Sequence, residues 1–278
     1  MTSRLPITEP RRATGAVIDK IVAAHALLTN ESDLSPRNQK ISTALRELVH
    51  ILLKSYEPAE ITAILNHTEV AALRISLLDR LSEAELALER FWSQRFLSRK
   101  TLAVSDLKEF LYWENYQRLL GMELQALNAI QRQKYGIVFV GGGPLPLSAI
   151  VLHMRTGEPV LCIDANAEAC ECANRLLSKL GLSRIRAVPA DGAGFDYGSA
   201  SVIFVASLVA AKTDVARRII ETCNEPVVAI RTVDGVRALL YRPADLAALK
   251  AAGLSLAAQT KPDPEVINNT LFFNGWPL

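Results

Sequence analysis

The chain has 278 residues, enough for one large domain or two modest ones. Half of the residues are hydrophobic, and the formal net charge is only +2, with charges of both signs interspersed. This balance excludes the basic surface typical of nucleic-acid binding and the polybasic patch of a membrane-surface protein. We therefore expect neither nucleic acid nor a membrane as a partner.

The N-terminal segment and the cysteines favour a reducing compartment. The opening MTSRLPITEPRRATG has no apolar stretch of the kind found in signal peptides, and no apolar run approaches the roughly 20 residues of a membrane helix. The four cysteines form no CxxC pair and have no neighbouring histidines to complete a zinc site. We expect reduced thiols, no bound metal and a cytoplasmic location.

Residues 1–130 are predicted to form an N-terminal helical domain. Gly15 is the only glycine before Gly121, and Leu, Ala, Glu and Arg are abundant between them, as in helices. Apolar residues at helical spacing predict a helix over 38–55, and Pro58 is placed for the first position of the next helix. The composition predicts a bundle of about five helices.

Two longer segments complete this half. Residues 68–97 form a long amphipathic stretch, interpreted as one helix or as two joined near Leu81. Residues 104–130 predict another helix, with Ser105 or Asp106 as its N-cap.

Residues 131–278 are predicted to form a Rossmann-type domain with a parallel sheet. Helical segments separate five short apolar runs, each ending near Gly, Asp, Ser or Thr: GIVFVG, PVLCID, RIRAVPAD, SVIFVAS and PVVAIRT. Near-continuous apolar strands that alternate with helices are typical of a parallel sheet covered on both faces. Ligands of such domains bind beyond the carboxyl ends of the strands.

Three strand ends carry candidate ligand-binding groups. The first strand runs into Gly141-Gly142-Gly143, a turn that exposes bare backbone to a ligand or simply lets a strand meet a helix. Asp164 ends the second strand about 20 residues later, where a carboxylate can bind ribose hydroxyls or cap the following helix. Asp191 ends the third strand, where it can meet an adenine edge or form an ordinary Asp-Gly turn.

The prolines after the glycine turn restrict the ligand class. Pro144 and Pro146 remove two backbone N–H donors that a pyrophosphate would need. This favours a nucleoside without phosphate, and S-adenosylmethionine is the common ligand of that kind. The order of glycine turn, ribose acid and adenine acid fits a class I methyltransferase-like fold, although Phe139 replaces the usual acid and Leu145 the third glycine.

Four segments in the same order resemble the nicotianamine synthase family. FVGGGPLPLSAIVL is similar to that family's GSGPLPLT/S loop, and EFLYWENYQRLLGMEL to its YYxNYxxLxxxE segment. VIFVASLV is similar to its VVFLAALV strand, and VVAIRTVDGVRALLYRPAD with KPDPEVINNT to its VRSAHGARxxLYP and HPxDEVINS run. The resemblance covers about residues 81–270. Trp113 replaces a tyrosine and Asp234 a histidine, which leaves the acceptor's identity open.

The resemblance implies a transfer other than methylation. S-Adenosylmethionine would be a co-substrate, with no permanently bound cofactor. Its 3-amino-3-carboxypropyl (aminobutanoyl) group would pass to the amine of an amino acid such as histidine, or of a second S-adenosylmethionine, with release of methylthioadenosine. Bacterial relatives make opine-type metallophores, so the product would pass to an NAD(P)H-dependent opine dehydrogenase. Homodimer formation is left open.

The resemblance also implies roles for site residues. Glu89 is expected to be the catalytic base, unless it belongs to a solvated helix face. Tyr112 and Tyr116 are expected to position the methionine arm and the nucleophile, unless they are core aromatics. Glu85 is expected to bind substrate. Independently of the resemblance, Arg231 ends the fifth strand, where it could clamp a substrate carboxylate, the alternative being a surface ion pair. The expected nucleoside contacts are Gly141, Gly142, Gly143, Pro144, Asp164, Ala165, Asp191, Gly192, Ala206, Ser207 and Leu208.

Two other functions compete with this interpretation. An S-adenosylmethionine-dependent small-molecule methyltransferase would release S-adenosylhomocysteine instead. A non-catalytic helical interaction protein with a vestigial nucleoside fold is the third reading, supported by Phe139 in place of the usual acid.

Overall fold

The computed structural model describes residues 9–130 and 136–274. Contacts between residues divide the chain into two units. One comprises Met1–Leu88 and Asp234–Tyr241, and the other comprises Glu89–Val233 and Arg242–Leu278. The domain boundary that composition places at residue 130 remains a prediction.

The first unit is built from helices. They are α1 (Glu9–Asn30), α2 (Gln39–Leu52), α3 (Pro58–Leu65), the larger part of α4 (Thr68–Leu97) and a short 3-10 helix (Gly235–Leu239). Pro58 occupies the first helical position of α3, as predicted, and the Asn38 side chain caps α2 by accepting from Lys40 N–H. Apolar residues at helical spacing form the core of this unit: Ile21, Leu28, Ile41, Leu48, Leu52, Ile64, Val70 and Leu77.

Helix α4 is a single 30-residue helix, so the interpretation as one helix is confirmed and the alternative of two helices joined near Leu81 is wrong. The segment contains no glycine or proline that would end a helix. Its buried residues continue through the proposed junction at Leu78, Leu81 and Ala84. Because the apolar stripe is unbroken there, burial favours one continuous helix.

Helix α5 begins later than predicted. The structure has a 3-10 helix at Val104–Glu109, and α5 runs only from Trp113 to Ile130. Asp106 accepts a hydrogen bond from Ala103 N–H at 2.8 Å, so it stabilises the 3-10 turn rather than capping α5. The intervening Phe110 has an extended backbone. Phe110 and Trp113 are both buried. The Phe110 ring packs edge-on against Trp92.

The second unit contains a seven-stranded sheet in the order β3-β2-β1-β4-β5-β7-β6. The strands are β1 (Ile137–Val140), β2 (Val160–Asp164), β3 (Ile185–Pro189), β4 (Val202–Val205), β5 (Val227–Thr232), β6 (Leu256–Gln259) and β7 (Asn269–Phe273). β1 to β5 are parallel, and β7 pairs antiparallel with both β5 and β6. This topology confirms the predicted strands and the class I methyltransferase-like fold.

Helices cover the parallel strands, as the apolar strand pattern predicts. They are α6 (Leu147–Thr156), α7 (Ala167–Lys179), α8 (Lys212–Thr222) and α9 (Leu246–Ala251). On one face, side chains of β1, β2, β4 and β5 pack with buried residues of α8 and α9. Helix α5 contacts α6, β6 and β7, and α6 contacts β2 and β3. The carboxyl ends of β1 to β5 therefore share one edge, where the predicted ligand groups lie.

No helix within the described ranges 9–130 and 136–274 is long and apolar enough to cross a membrane. All four cysteines are buried free thiols.

Candidate active site

The turn after β1 presents glycine backbone at the carboxyl edge of the sheet. Gly141 donates its N–H to the Ile163 carbonyl at 2.8 Å, which keeps the turn against β2. Gly143 has φ of +64°, a left-handed conformation that favours glycine. Its N–H donates to Asp164 Oδ2 at 2.9 Å. The turn and the predicted ribose acid are therefore joined directly.

Asp164 does not cap helix α7. Its Oδ1 accepts from Asn166 N–H at 2.9 Å, and the helix N-cap is Asn166, whose side chain accepts from Ala169 N–H. The capping alternative is therefore wrong. Each carboxylate oxygen of Asp164 accepts one backbone N–H and keeps further acceptor capacity. A ribose contact remains a prediction.

The end of helix α4 lies against the glycine turn. A Cβ atom at Gly143 would overlap Glu89 Oε2, so only glycine allows this carboxylate to approach the turn so closely. One helical turn further along, the buried Ser93 donates its hydroxyl to the Pro144 carbonyl at 2.7 Å. Glu89 and Ser93, four residues apart on the same face of α4, therefore both lie beside the predicted nucleoside loop.

The ends of β3 and β4 differ in exposure. Asp191 is exposed and accepts from Ala193 N–H at 3.0 Å, while Gly192 is buried and accepts the Tyr197 hydroxyl at 2.8 Å. The Asp-Gly turn is therefore present, and an adenine contact remains a prediction. Ala206 and Ser207 are half-buried after β4, whereas Leu208 and Ala165 are exposed at the same edge.

The two predicted catalytic tyrosines lie at the start of α5. Tyr112 precedes the helix and Tyr116 is in its first turns, with Tyr116 N–H donating to the Tyr112 carbonyl at 3.0 Å. Both rings are half-buried and lie within 6.4 Å of the Phe110 ring, measured between centroids. The aromatic cluster fixes where this end of α5 presents the phenols. Their catalytic role remains a prediction.

Arg231 is held in a buried network rather than a surface ion pair. Its Nε and one terminal nitrogen donate to the two oxygens of Glu123 at 2.9 and 3.0 Å, and the other donates to Ser148 Oγ at 2.9 Å. Thr270 also donates its hydroxyl to Glu123 at 2.6 Å. The guanidinium lies 5.2 Å from the centroid of Phe139, the residue in place of the usual acid. The network joins α5, α6, β5 and β7.

Glu85 belongs to the first unit, where it meets Tyr241. The phenol donates to the carboxylate, with oxygen–oxygen distances of 2.9 and 3.2 Å. Removal from solvent raises the pKa of Glu85 to about 7, and the hydrogen bond from Tyr241 opposes that rise. The side chain nevertheless keeps partial exposure. A carboxyl group in this state can gain or lose a proton near neutral pH.

Comparison with known proteins identifies the family. The family model described as "Nicotianamine synthase protein" matches residues 10–275. The chain belongs to the nicotianamine synthase family. Probable nicotianamine synthase 2 of Hordeum vulgare is 28% identical over 92% of this chain and 79% of its own length. Nicotianamine synthase 2 of Oryza sativa subsp. japonica is also 28% identical, over 92% and 81% of the two chains.

Solved structures of MtNAS share the fold. A glutamate-to-glutamine mutant of MtNAS in complex with S-adenosylmethionine superimposes with a TM-score of 0.81, at 24% identity, over 94% of this chain and 98% of that one. MtNAS in complex with MTA and tNA gives a TM-score of 0.79 at 23% identity, over 93% and 98% of the two chains. The family match over residues 10–275 confirms the nicotianamine synthase resemblance inferred from short motifs.

Sequence analysis of this nicotianamine synthase family member missed three residues. Tyr241 stands inside the matched run RALLYRPAD, and its place in a family motif was a usable signal. Ser93 and Lys212 gave no such signal, because a serine on a helix and a lysine at a helix start are ordinary surface residues. Here both are buried and bonded to backbone carbonyls.

Proposed function

We propose that the chain transfers the 3-amino-3-carboxypropyl group of S-adenosylmethionine to the amine of an amino acid, histidine or similar, or of a second S-adenosylmethionine. The observation that carries the proposal is the family match over residues 10–275, which includes both the glycine-proline loop and the DPEVIN segment. The complexes of MtNAS with S-adenosylmethionine and with MTA support the same ligand class.

The chemistry requires orientation more than acid catalysis. A neutral amine attacks the γ carbon of the amino-acid arm, and the bond from that carbon to sulphur breaks. The bonding pair goes to the sulphur, so the cationic sulfonium becomes the neutral thioether of methylthioadenosine. The new ammonium centre then loses one proton to a base. Alignment of the lone pair with the γ carbon rather than the methyl can account for roughly 7–11 kcal/mol of the barrier.

In this proposal the sheet edge binds the nucleoside. The glycine turn lets the nucleoside approach the backbone, Asp164 accepts ribose hydroxyls, and Asp191 and the Ala206–Leu208 segment flank the adenine. Pro144 is buried and its carbonyl is bonded to Ser93, so the loop is already ordered. Glu89, which lies against Gly143, would place negative charge near the cationic part of S-adenosylmethionine.

Glu89 of α4 is the candidate proton acceptor. The family resemblance favours it, and its carboxylate lies against Gly143 at the glycine turn. We propose that Glu89 accepts the proton, with Tyr112 and Tyr116 positioning the arm and the amine. A positioned base typically contributes about 10²–10⁴-fold to the rate. The substrate-binding role of Glu85 remains a prediction.

Arg231 is proposed to act through α5. Its guanidinium is bonded to Glu123 and Ser148, so a direct clamp on a substrate carboxylate would compete with these bonds. Glu123 and Tyr116 are seven residues, about two turns, apart on α5. By fixing Glu123, Arg231 would keep Tyr116 in register with the sheet edge.

The product class suggests the next step. An amino acid that carries a 3-amino-3-carboxypropyl group offers amines and carboxylates that chelate metal ions. We propose that it is a metallophore precursor, used by an NAD(P)H-dependent opine dehydrogenase. The buried free thiols agree with a reducing, cytoplasmic location.

Mass spectrometry of reactions with S-adenosylmethionine and each amino acid tests the proposal. We expect methylthioadenosine to form together with an amino acid that has gained one or more aminobutanoyl units. S-Adenosylhomocysteine as the only nucleoside product would instead make the protein a methyltransferase. Failure to bind S-adenosylmethionine in calorimetry would favour a non-catalytic protein.

A further inference from the structure

A buried lysine holds the segment that follows β4. Lys212 is only 4% exposed and is the first residue of α8. Its Nζ donates to the Ser207 carbonyl at 2.7 Å, to the Val209 carbonyl at 2.8 Å and to the Arg242 carbonyl at 3.3 Å. Three N–H groups of one ammonium therefore match three backbone acceptors.

The same segment is anchored from a second side. Asn268 is buried and donates its side-chain amide to Ser207 Oγ at 2.7 Å. It belongs to the DPEVIN segment, which is tied to α5 because Asn115 donates to the Glu265 carbonyl at 2.9 Å. Lys212 thus holds the backbone of Ser207 and Asn268 holds its side chain, and these two residues are distant from each other in sequence.

The lysine is held at an energetic cost. Burial and, to a lesser extent, the positive charge of Arg242 together lower the pKa of Lys212 to about 8. Only the protonated amine can donate to all three carbonyls, since a neutral amine has two N–H groups and a lone pair. Such a residue is unfavourable for stability at neutral pH, which points to a role in shaping the segment.

We propose that Lys212 and Asn268 are positioning residues that fix the Ser207–Val209 segment in the shape that binds the nucleoside. This inference rests on the proposed function, because the segment lies at the sheet edge assigned to S-adenosylmethionine. Neither residue touches the reacting atoms. Deprotonation of Lys212 removes one of its three donors, so nucleoside affinity should decrease as the pH rises above about 8.

Calorimetry on Lys212→Met tests the inference, with Lys179→Met as a matched control. Lys179 Nζ also donates to two carbonyls, those of Leu97 and Arg99, but at the end of α4. At pH 7 we expect the Kd for S-adenosylmethionine and for methylthioadenosine to rise ~10-fold or more in Lys212→Met and to stay unchanged in the control. Between pH 7 and pH 9 the wild type should lose affinity, whereas Lys212→Met should show no such loss.

Hydrogen exchange separates this inference from the proposed function. Amides of residues 206–210 should exchange faster in Lys212→Met than in the wild type without any ligand, and thermal unfolding reports general stability. If the wild type does not bind S-adenosylmethionine, the proposed function fails, and with it the nucleoside role of the segment. If it binds and Lys212→Met matches it in both Kd and exchange, the positioning role is overturned.

A second variant covers the case in which Lys212→Met does not fold. Asn268→Ala removes only the bond to the Ser207 hydroxyl, and Ser207→Ala removes the same bond from the other side. Both should raise the Kd several-fold, and the double variant should be no worse than either single one. Unchanged affinity in all three would also overturn the inference.

Discussion

Two glutamates, one in each unit, show how differently this fold treats a buried carboxylate. Glu123 on α5 receives two N–H groups from Arg231 and a hydroxyl from Thr270, and it is fully buried. Glu85 on α4 receives only the Tyr241 phenol among the bonds described above, and its pKa is raised to about 7.

The difference lies in what neutralises each charge. A guanidinium compensates the charge of Glu123, so that carboxylate is a fixed structural group. A phenol offers a hydrogen bond but no charge, so burial makes Glu85 bind a proton more readily. Removing Arg231, the partner of Glu123, should therefore destabilise the protein. Removing the phenol of Tyr241, the partner of Glu85, should instead change the protonation of Glu85.

The largest effect is expected for Arg231→Met. This change leaves Glu123 buried without its cation, which typically costs about 3–5 kcal/mol of unfolding free energy. Urea unfolding measures the loss. Replacing both residues, as Arg231→Met with Glu123→Met, should recover much of the stability, because no unpaired charge then remains.

Arg118→Met is the matched control, because Arg118 also belongs to an arginine–glutamate pair and lies on α5, the helix that carries Glu123. Arg118 pairs with Glu265 at 2.6 Å, but both side chains are more than half exposed. An exposed pair contributes about 0–1 kcal/mol. If Arg231→Met is no more destabilising than Arg118→Met, the contrast between the two glutamates does not hold.

The second effect concerns turnover. Glu89→Gln preserves shape but cannot accept a proton, so kcat should fall by about 10²-fold or more. Glu85→Gln is the comparison, because the Glu85 carboxylate is bonded to Tyr241 rather than lying against the glycine turn, and we expect its kcat to fall less. Steady-state kinetics and calorimetry on both variants distinguish these roles. The reverse pattern would move the base to Glu85.

The third effect is the pH dependence of stability. The folded pKa of Glu85, about 7, lies above its ordinary value of 4.5, so its contribution is fully present below pH 4.5 and is lost as the pH rises through 7. The wild type should therefore lose ~2 kcal/mol relative to Glu85→Gln between pH 4.5 and pH 8, a figure reduced for the partial exposure of the side chain. Parallel stability curves for the two proteins would show that Glu85 titrates normally.

The sequence allowed the parallel sheet and its ligand edge to be predicted. The runs that became β1 to β5 are continuous apolar segments, and that pattern has few alternatives once helices alternate with it. The sequence did not allow β6 to be predicted, because its segment LAAQ lacks the apolar run of a central strand and is largely exposed in the fold. β7 was missed because its pairing is antiparallel and nonlocal, and it follows directly on the DPEVIN segment.

For the candidate site, the positions of Gly143 and Asp164 were predictable, because each follows from the end of a strand. The structure brings the two together, since Gly143 N–H donates to Asp164 Oδ2. The partners of Glu123 and Glu85 were not predictable, because Arg231 and Tyr241 lie 108 and 156 residues away in sequence. Such pairs depend on tertiary packing, and no local pattern encodes it.

The smallest effect is expected for Tyr241→Phe, which alters Glu85 without removing it. The phenol stabilises the charged carboxylate, so its loss should raise the pKa of Glu85 above its value of about 7. A hydrogen bond to a charged group contributes roughly 1.5–3 kcal/mol, and partial exposure reduces this to about one pH unit. The pH range over which stability is lost relative to Glu85→Gln should therefore move upward by that amount in Tyr241→Phe, as urea unfolding at a series of pH values measures. Tyr56→Phe is the control, because its hydroxyl donates to the Ile51 carbonyl in the same unit and not to Glu85. If that pH range stays in place in Tyr241→Phe, or moves equally in Tyr56→Phe, the Tyr241 phenol does not influence the ionisation of Glu85.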